Sequence, residues 1–241
     1  DCLDLQRVTT TAACPEFSYR PEESAETVRR LLAAGAVPVG KTNMDQFATG
    51  LVGTRSPYGE VHNAYREELI SGGSSSGSAV AVALGQSVFS LGTDTAGSGR
   101  VPAALNNLVG YKPAVGAWPS KGMVPACASL DCVAVFANNA ADALEISRLL
   151  RGECDEDCRS REIPYQENQC PRVLCVPREL PEFFGDYGQA YRKAWEKVLH
   201  SIRQLGLPIE EIDTSLFQKA AKILYDGPYI AERWSALGDF V

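Results

Sequence analysis

The stretch "LISGGSSSGSAVAVALG", residues 69–85, constrains the fold more than any other part of the chain. Its first half has the composition of a flexible linker. A linker predicts polar flanks and no periodicity, yet the next residues are Ala79, Val80, Ala81, Val82, Ala83 and Leu84, which only a buried helix can use. A Ser/Gly turn that enters a buried helix gathers backbone N–H groups and hydroxyls at one point. Such a point suits an anion or developing negative charge. A second turn of the same kind follows in "GTDTAGSGR", Gly92 to Arg100, between an expected strand (87–94) and an expected helix (101–106). Gly97 and Gly99 flank Ser98, so its hydroxyl can stand exposed on a tight bend.

Two serine turns suggest nucleophilic chemistry. The usual partner is His, but the chain has only His62 and His200, neither near the turns in sequence. A Ser/Lys arrangement is the other standard way to activate a serine.

Around the turns the chain reads as alternating helices and strands. Helices are expected over 21–35, 43–50, 76–85, 139–152, 187–205 and 214–224. Strands are expected over 36–40 (buried), 87–94, 108–113, 172–177 (buried) and 207–213. Tyr191, Trp195, Val198, Ile202 and Leu205 recur at helical spacing on one face. Residues 51–70 read as loop, and 153–170, acidic and aperiodic, as a surface excursion within a single domain spanning 1–241. The alternation predicts an α/β layered fold with a parallel or mixed sheet.

Composition narrows the function classes. A net charge of −7 argues against general nucleic-acid binding, which rests on Lys and Arg. No apolar run approaches the length of a membrane span. Cys14, Cys127, Cys132 and Cys175 lie in apolar or small-residue surroundings and read as buried thiols. Cys154 and Cys158 bracket "CDEDC" without further ligands at metal spacing, and Cys170 is only a loose third, so no metal and no cofactor is expected. The absence of a secretory signal and the free-thiol pattern predict a reducing, cytoplasmic setting.

"GGSSSGSA" followed by "GTDTAGSGRVPAA" resembles the amidase signature family. The likeness extends through "GKTNMDQFATG", "GYKPAVG" and "SLDCVAVFA" and covers nearly the whole chain. It implies an amidase-signature layered fold, with a central mixed β-sheet flanked by helices, truncated at both ends. It also implies a Ser–cis-Ser–Lys triad. Ser98 matches the acyl-forming nucleophile and Ser74 the bridging serine. The N–H groups of Thr95, Ala96, Gly97 and Ser98 match the oxyanion hole. Ser76 stands where many members have Gly. The triad lysine belongs immediately before Asp1, so the chain as given is expected to be inactive or nearly so. Lys41 matches a different, structural position.

Within the family, "TGLVGTRSPYG", "VPACASLDCVAVFA" and "ILYDGPYIAERWSALGDF" resemble the allophanate hydrolase branch. That branch implies a small amide substrate carrying a carboxylate, held by Tyr225 and Arg233, with Gly50 at the substrate. A guanidinium fork suits a carboxylate. Without the resemblance, Tyr225 reads as a core aromatic and Arg233 as a helix cap. The assemblies implied are a homodimer and fusion to, or association with, a urea carboxylase. The alternatives are an inactive fragment lacking the lysine and a glutamine amidotransferase subunit.

Overall fold

The computed structural model describes residues 2–164 and 170–240. The chain divides into two compact units, one of Asp1–Ile163 with Tyr229–Val241, the other of Pro164–Pro228. Both mix helices with small sheets, and the α/β class holds.

In the first unit a three-stranded sheet has the order β1-β3-β2, with β1 Phe89–Asp94, β2 Val109–Tyr111 and β3 Cys132–Ala137. Both pairings are antiparallel, with Phe89 opposite Ala137 and Asp94 opposite Cys132. The central strand β3 is buried throughout, which is why "CVAVFA" runs apolar without alternation. On the sheet pack α1 Glu26–Ala33 and α4 Ala140–Leu150, whose Leu31, Ala143, Ile146 and Leu150 join Trp118, Val133 and Val135 in one core. A second cluster joins Ala79 and Val82 of α2 Ser76–Ala83, Ala103 of α3 Arg100–Leu105, and Phe136. The helix that the serine run feeds is therefore half inside the core, as its Ala/Val composition requires.

The second unit holds α5 Gly188–Gln204 between two parallel strands, β4 Leu174–Pro177 and β5 Ile209–Ile212, followed by α6 Ser215–Asp226. The parallel pairing thus lies in the second unit and the antiparallel one in the first. Among the described residues the strands form one three-stranded and one two-stranded sheet.

Several expectations change. Residues 36–40 form no strand, and Val37 and Val39 are 81% and 78% exposed. They flank a groove of about 1030 Å³ whose other wall includes Ser87 to Gly92. The β1 backbone there is already engaged by serines of the turn and helix: Ser78 Oγ donates to Leu91 O, and Ser75 Oγ bonds both N and O of Thr93. An edge capped by side chains offers no ladder to a second strand. The expected helix at 43–50 shrinks to a 3-10 turn, Gln46–Ala48, because Phe47 and Ala48 adopt positive φ. A further helix, α7 Tyr229–Leu237, has no counterpart among the expected ones. Cys14, Cys127 and Cys132 are buried, but Cys175 is exposed, since its strand belongs to a two-stranded sheet with little to cover it. Of the surface excursion 153–170, residues 165–169 lie outside the described residues. The earlier part is pinned by buried Asp157, which accepts from N and Oγ of Ser120.

Candidate active site

Ser98 lies between β1 and α3, at the end of a turn that two buried acids hold from opposite sides. From one side Asp94 accepts Gly97 N–H at 2.8 Å and Gly99 N–H at 3.1 Å, and takes the Arg100 guanidinium at 2.9 and 3.0 Å. Burial raises its pKa, but the Arg100 fork and those N–H groups more than offset this and hold the carboxyl below its ordinary range. Asp94 and Arg100 thus form an ion pair at the base of the turn. On the other side the Thr95 hydroxyl donates to Asp131. Gly97 has φ +133, and a Cβ there would meet Val101 at 3.2 Å, so the bend requires glycine.

Ser98 is 4% exposed, and its hydroxyl points at Gly50 O from 3.5 Å, too long for a strong bond. Its carbonyl accepts Ser75 N–H at 3.3 Å, which ties the two serine turns together. Ser74 is fully buried, its peptide bond to Gly73 is cis, and its hydroxyl has no hydrogen-bond partner among the described residues. Buried hydroxyls are normally paired, which makes this one an exception among the described residues. Of the four N–H groups expected at the oxyanion, that of Gly97 already serves Asp94. Those of Thr95, Ala96 and Ser98 have no acceptor among the described residues.

Asp45, which lies in "GKTNMDQFATG" but takes no role from the sequence, organises the neighbouring loop. It is fully buried and accepts the N–H groups of Val52, Gly53 and Arg55, while its own N–H donates to Ser74 O at 2.9 Å. A Cβ on Gly73 would collide with Asp45 Oδ2, so this carboxylate and glycine define each other's place. Both Asp45 and Asp131 escape sequence reading because their partners are N–H and hydroxyl groups spread along the chain. Asn106 is another: its amide donates to Ser71 O and its oxygen accepts from Ala64 N.

The remaining expected residues are dispersed. Lys41 donates to Thr10 Oγ1 at 2.6 Å and Thr9 O at 3.2 Å, and burial lowers its pKa. Gly50 stands at Ser98 as described. Tyr225 is on α6 in the second unit and half-exposed. Arg233 is on α7 in the first unit; its Nε is buried without a hydrogen-bond partner among the described residues, and its charge acts on Asp131. No group of three or more metal-binding side chains occurs among the described residues.

Comparison with known proteins bears on this geometry. The family described as Amidase matches residues 1–240. The urea amidolyase of Saccharomyces cerevisiae is 45% identical over 248 residues, covering 100% of this chain and 13% of that protein. A glutamyl-tRNA(Gln) amidotransferase subunit of Lactobacillus acidophilus is 36% identical over 212 residues, covering 85% of this chain and 43% of that protein. The structure of Kluyveromyces lactis allophanate hydrolase superimposes with a TM-score of 0.92 at 47% identity, covering 99% of this chain and 39% of that one.

Proposed function

The chain belongs to the amidase family, and on that premise we propose that it hydrolyses an amide C–N bond through Ser98, with allophanate as substrate. The observation that carries the reading is the pairing of two buried serines. Ser98 sits on a turn whose Thr95, Ala96 and Ser98 N–H groups have no acceptor among the described residues, and Ser74, on the turn bonded to it, has an unpartnered hydroxyl. Ser98 Oγ attacks the amide carbon while Ser74, able both to donate and to accept, takes its proton. In the Ser–cis-Ser–Lys pattern that the resemblance implies, a lysine would receive it and return it to the leaving nitrogen. The Thr95, Ala96 and Ser98 N–H groups hold the oxyanion. The C–N bond breaks, ammonia leaves, and water releases the acyl group from Ser98 as a carbamate-type product.

Allophanate is favoured by the similarity to urea amidolyase and allophanate hydrolase, which exceeds that to the amidotransferase. Arg233 supports it chemically, as a buried, unpartnered guanidinium nitrogen suits a substrate carboxylate. Tyr225 is proposed as the second carboxylate contact and Gly50 as a wall of the substrate site. The urea amidolyase likeness also supports action together with a urea carboxylase, which makes a carboxylated urea available. This chain spans 13% of that relative's length.

The test is ammonia release from allophanate by the full-length protein. Ser98→Ala is expected to abolish it with folding intact. Arg233→Ala is expected to raise KM for allophanate more than for neutral amides. Substantial turnover by Ser98→Ala refutes the nucleophile, and equal losses on both substrates make Arg233 structural. No helix among the described residues is long and apolar enough to cross a membrane.

A further inference from the structure

Glu232, on α7, makes contacts that the catalytic reading does not use. Its Oε1 accepts Ser129 N–H at 2.6 Å, and its Oε2 accepts the Ser129 hydroxyl at 2.7 Å and the Cys127 thiol at 3.3 Å. One carboxylate thus closes on the turn 126–131 with three donors. That turn is cross-braced: Leu130 and Asp131 N–H both donate to Cys127 O at 2.9 Å. Within it, Asp131 is 5% exposed and uses Oδ2 to accept Ala126 and Cys127 N–H at 2.8 and 2.9 Å. Its other oxygen reaches across to the Thr95 hydroxyl. Thr95 begins the turn whose N–H groups face the oxyanion.

A buried acid that only capped its own turn would be satisfied by the two N–H groups. The third bond, to a residue 36 positions away, joins that turn to the nucleophile's. Opposite it, Asp94 grips Gly97 and Gly99. The oxyanion turn is therefore held at both ends by carboxylates, and one of those ends is anchored by α7.

We propose that Asp131 and Glu232 are positioning residues for the reaction: Glu232 clamps the 126–131 turn, and Asp131 passes that constraint to Thr95 and so fixes the N–H groups that meet the oxyanion. This rests on reading the Thr95–Ser98 turn as the oxyanion site. A group acting this way raises kcat and leaves substrate affinity alone, because the oxyanion forms only during reaction. Neither residue touches the substrate.

The experiment uses the full-length protein. In Asp131→Asn the amide cannot accept from Thr95 and from the two N–H groups at once, since one of its arms is a donor. It is expected to lower kcat about tenfold or more with KM within about twofold. Thr95→Val, which removes only the bridging hydroxyl, is expected to do the same and guards against misfolding of the buried amide variant. Glu232→Gln is expected to lower kcat by about threefold, and the double variant Glu232→Gln/Asp131→Asn to cost no more than Asp131→Asn alone, as residues acting in series do. Hydrogen exchange supplies a readout independent of turnover. Amides of 94–100 are expected to exchange about tenfold faster in Asp131→Asn and Thr95→Val, with those of α4 unchanged. Additive losses, a KM rise with unchanged kcat, or unaltered exchange at 94–100 would overturn the proposal. If the unmodified protein releases no ammonia, the functional reading fails while the exchange measurement still decides the coupling.

Discussion

Asp94 and Asp131 flank the same turn, yet their pKa values move apart. Asp94 lies below the ordinary carboxyl value of 3.8: burial pushes upward, and Arg100 with the Gly97 and Gly99 N–H groups outweighs it. Asp131 lies above it, because burial outweighs Thr95, the Cys127 and Ala126 N–H groups and the Arg233 charge. Linkage gives them opposite signs. The Asp94 contribution to stability is full above 3.8 and is lost as pH falls through its lowered value. Asp131 favours the folded state most when neutral, and that contribution is lost as pH rises through its raised value. In urea unfolding followed across the acid limb, Asp94→Asn is expected to flatten the rise of stability with pH and Asp131→Asn to steepen it. Gly97→Ala is expected to cost about 1–3 kcal/mol for its positive φ and to reduce turnover further by displacing Ser98, which thermal unfolding and ammonia release would read separately. At this scale the sequence exposes the residues with extreme composition. Gly97, Ser98 and Gly99 announce a tight turn on their own, whereas Asp45, Asp131 and Glu232 look like any surface acid until the chain closes and N–H groups converge on them.

Among the elements, α4 shows most plainly how one is finished at both ends. Asn139 Oδ1 accepts Asp142 N–H at 2.9 Å, the cap that its sequence predicts. Its other end is closed from α1 by the Arg30 guanidinium, which donates to the carbonyls of Leu150, Arg151, Gly152 and Glu153 at 2.7 to 3.1 Å. Glu26 in turn accepts Arg30 Nε at 2.8 Å. The carbonyls of Leu150 and Arg151 are among those that a helix end leaves without partners, and a cation there also meets the dipole favourably. Arg30→Met keeps much of the stem but loses the fork, and is expected to cost about 2 kcal/mol. Thermal unfolding measures the loss, and hydrogen exchange should localise it to the end of α4. Helical periodicity makes α4 and α5 readable. It overruns α1, expected over 21–35 but formed over Glu26–Ala33, and α7 is not among the expected helices although Ile230, Trp234 and Leu237 recur there at helical spacing. The strand expected at 36–40 fails for a different reason. Apolar alternation says that a segment can pair, and only the tertiary arrangement says whether an edge remains to pair with.

Across the whole molecule the thiols report on packing. Cys2, Cys14, Cys127 and Cys132 are buried, whereas Cys158, Cys170 and Cys175 are exposed. Burial and the Glu232 carboxylate push Cys127 up to about 11, so little of it is thiolate near neutrality. Alkylation under native conditions is expected to label the exposed three well before the buried four, with mass spectrometry of the digested protein as the check. The segment 36–40 has a consequence of another kind. Val37 and Val39 present apolar side chains to water on a backbone stretch that belongs to no sheet among the described residues. Two copies that meet there can bury these side chains against each other, an encounter that grows with concentration and is slowed, though not prevented, by the mutual repulsion of chains carrying −7 each. Salt, by screening that repulsion, is expected to promote self-association, and Val37→Lys to suppress it in light scattering; equal scattering at low and high salt would show that this face is colloidally inert.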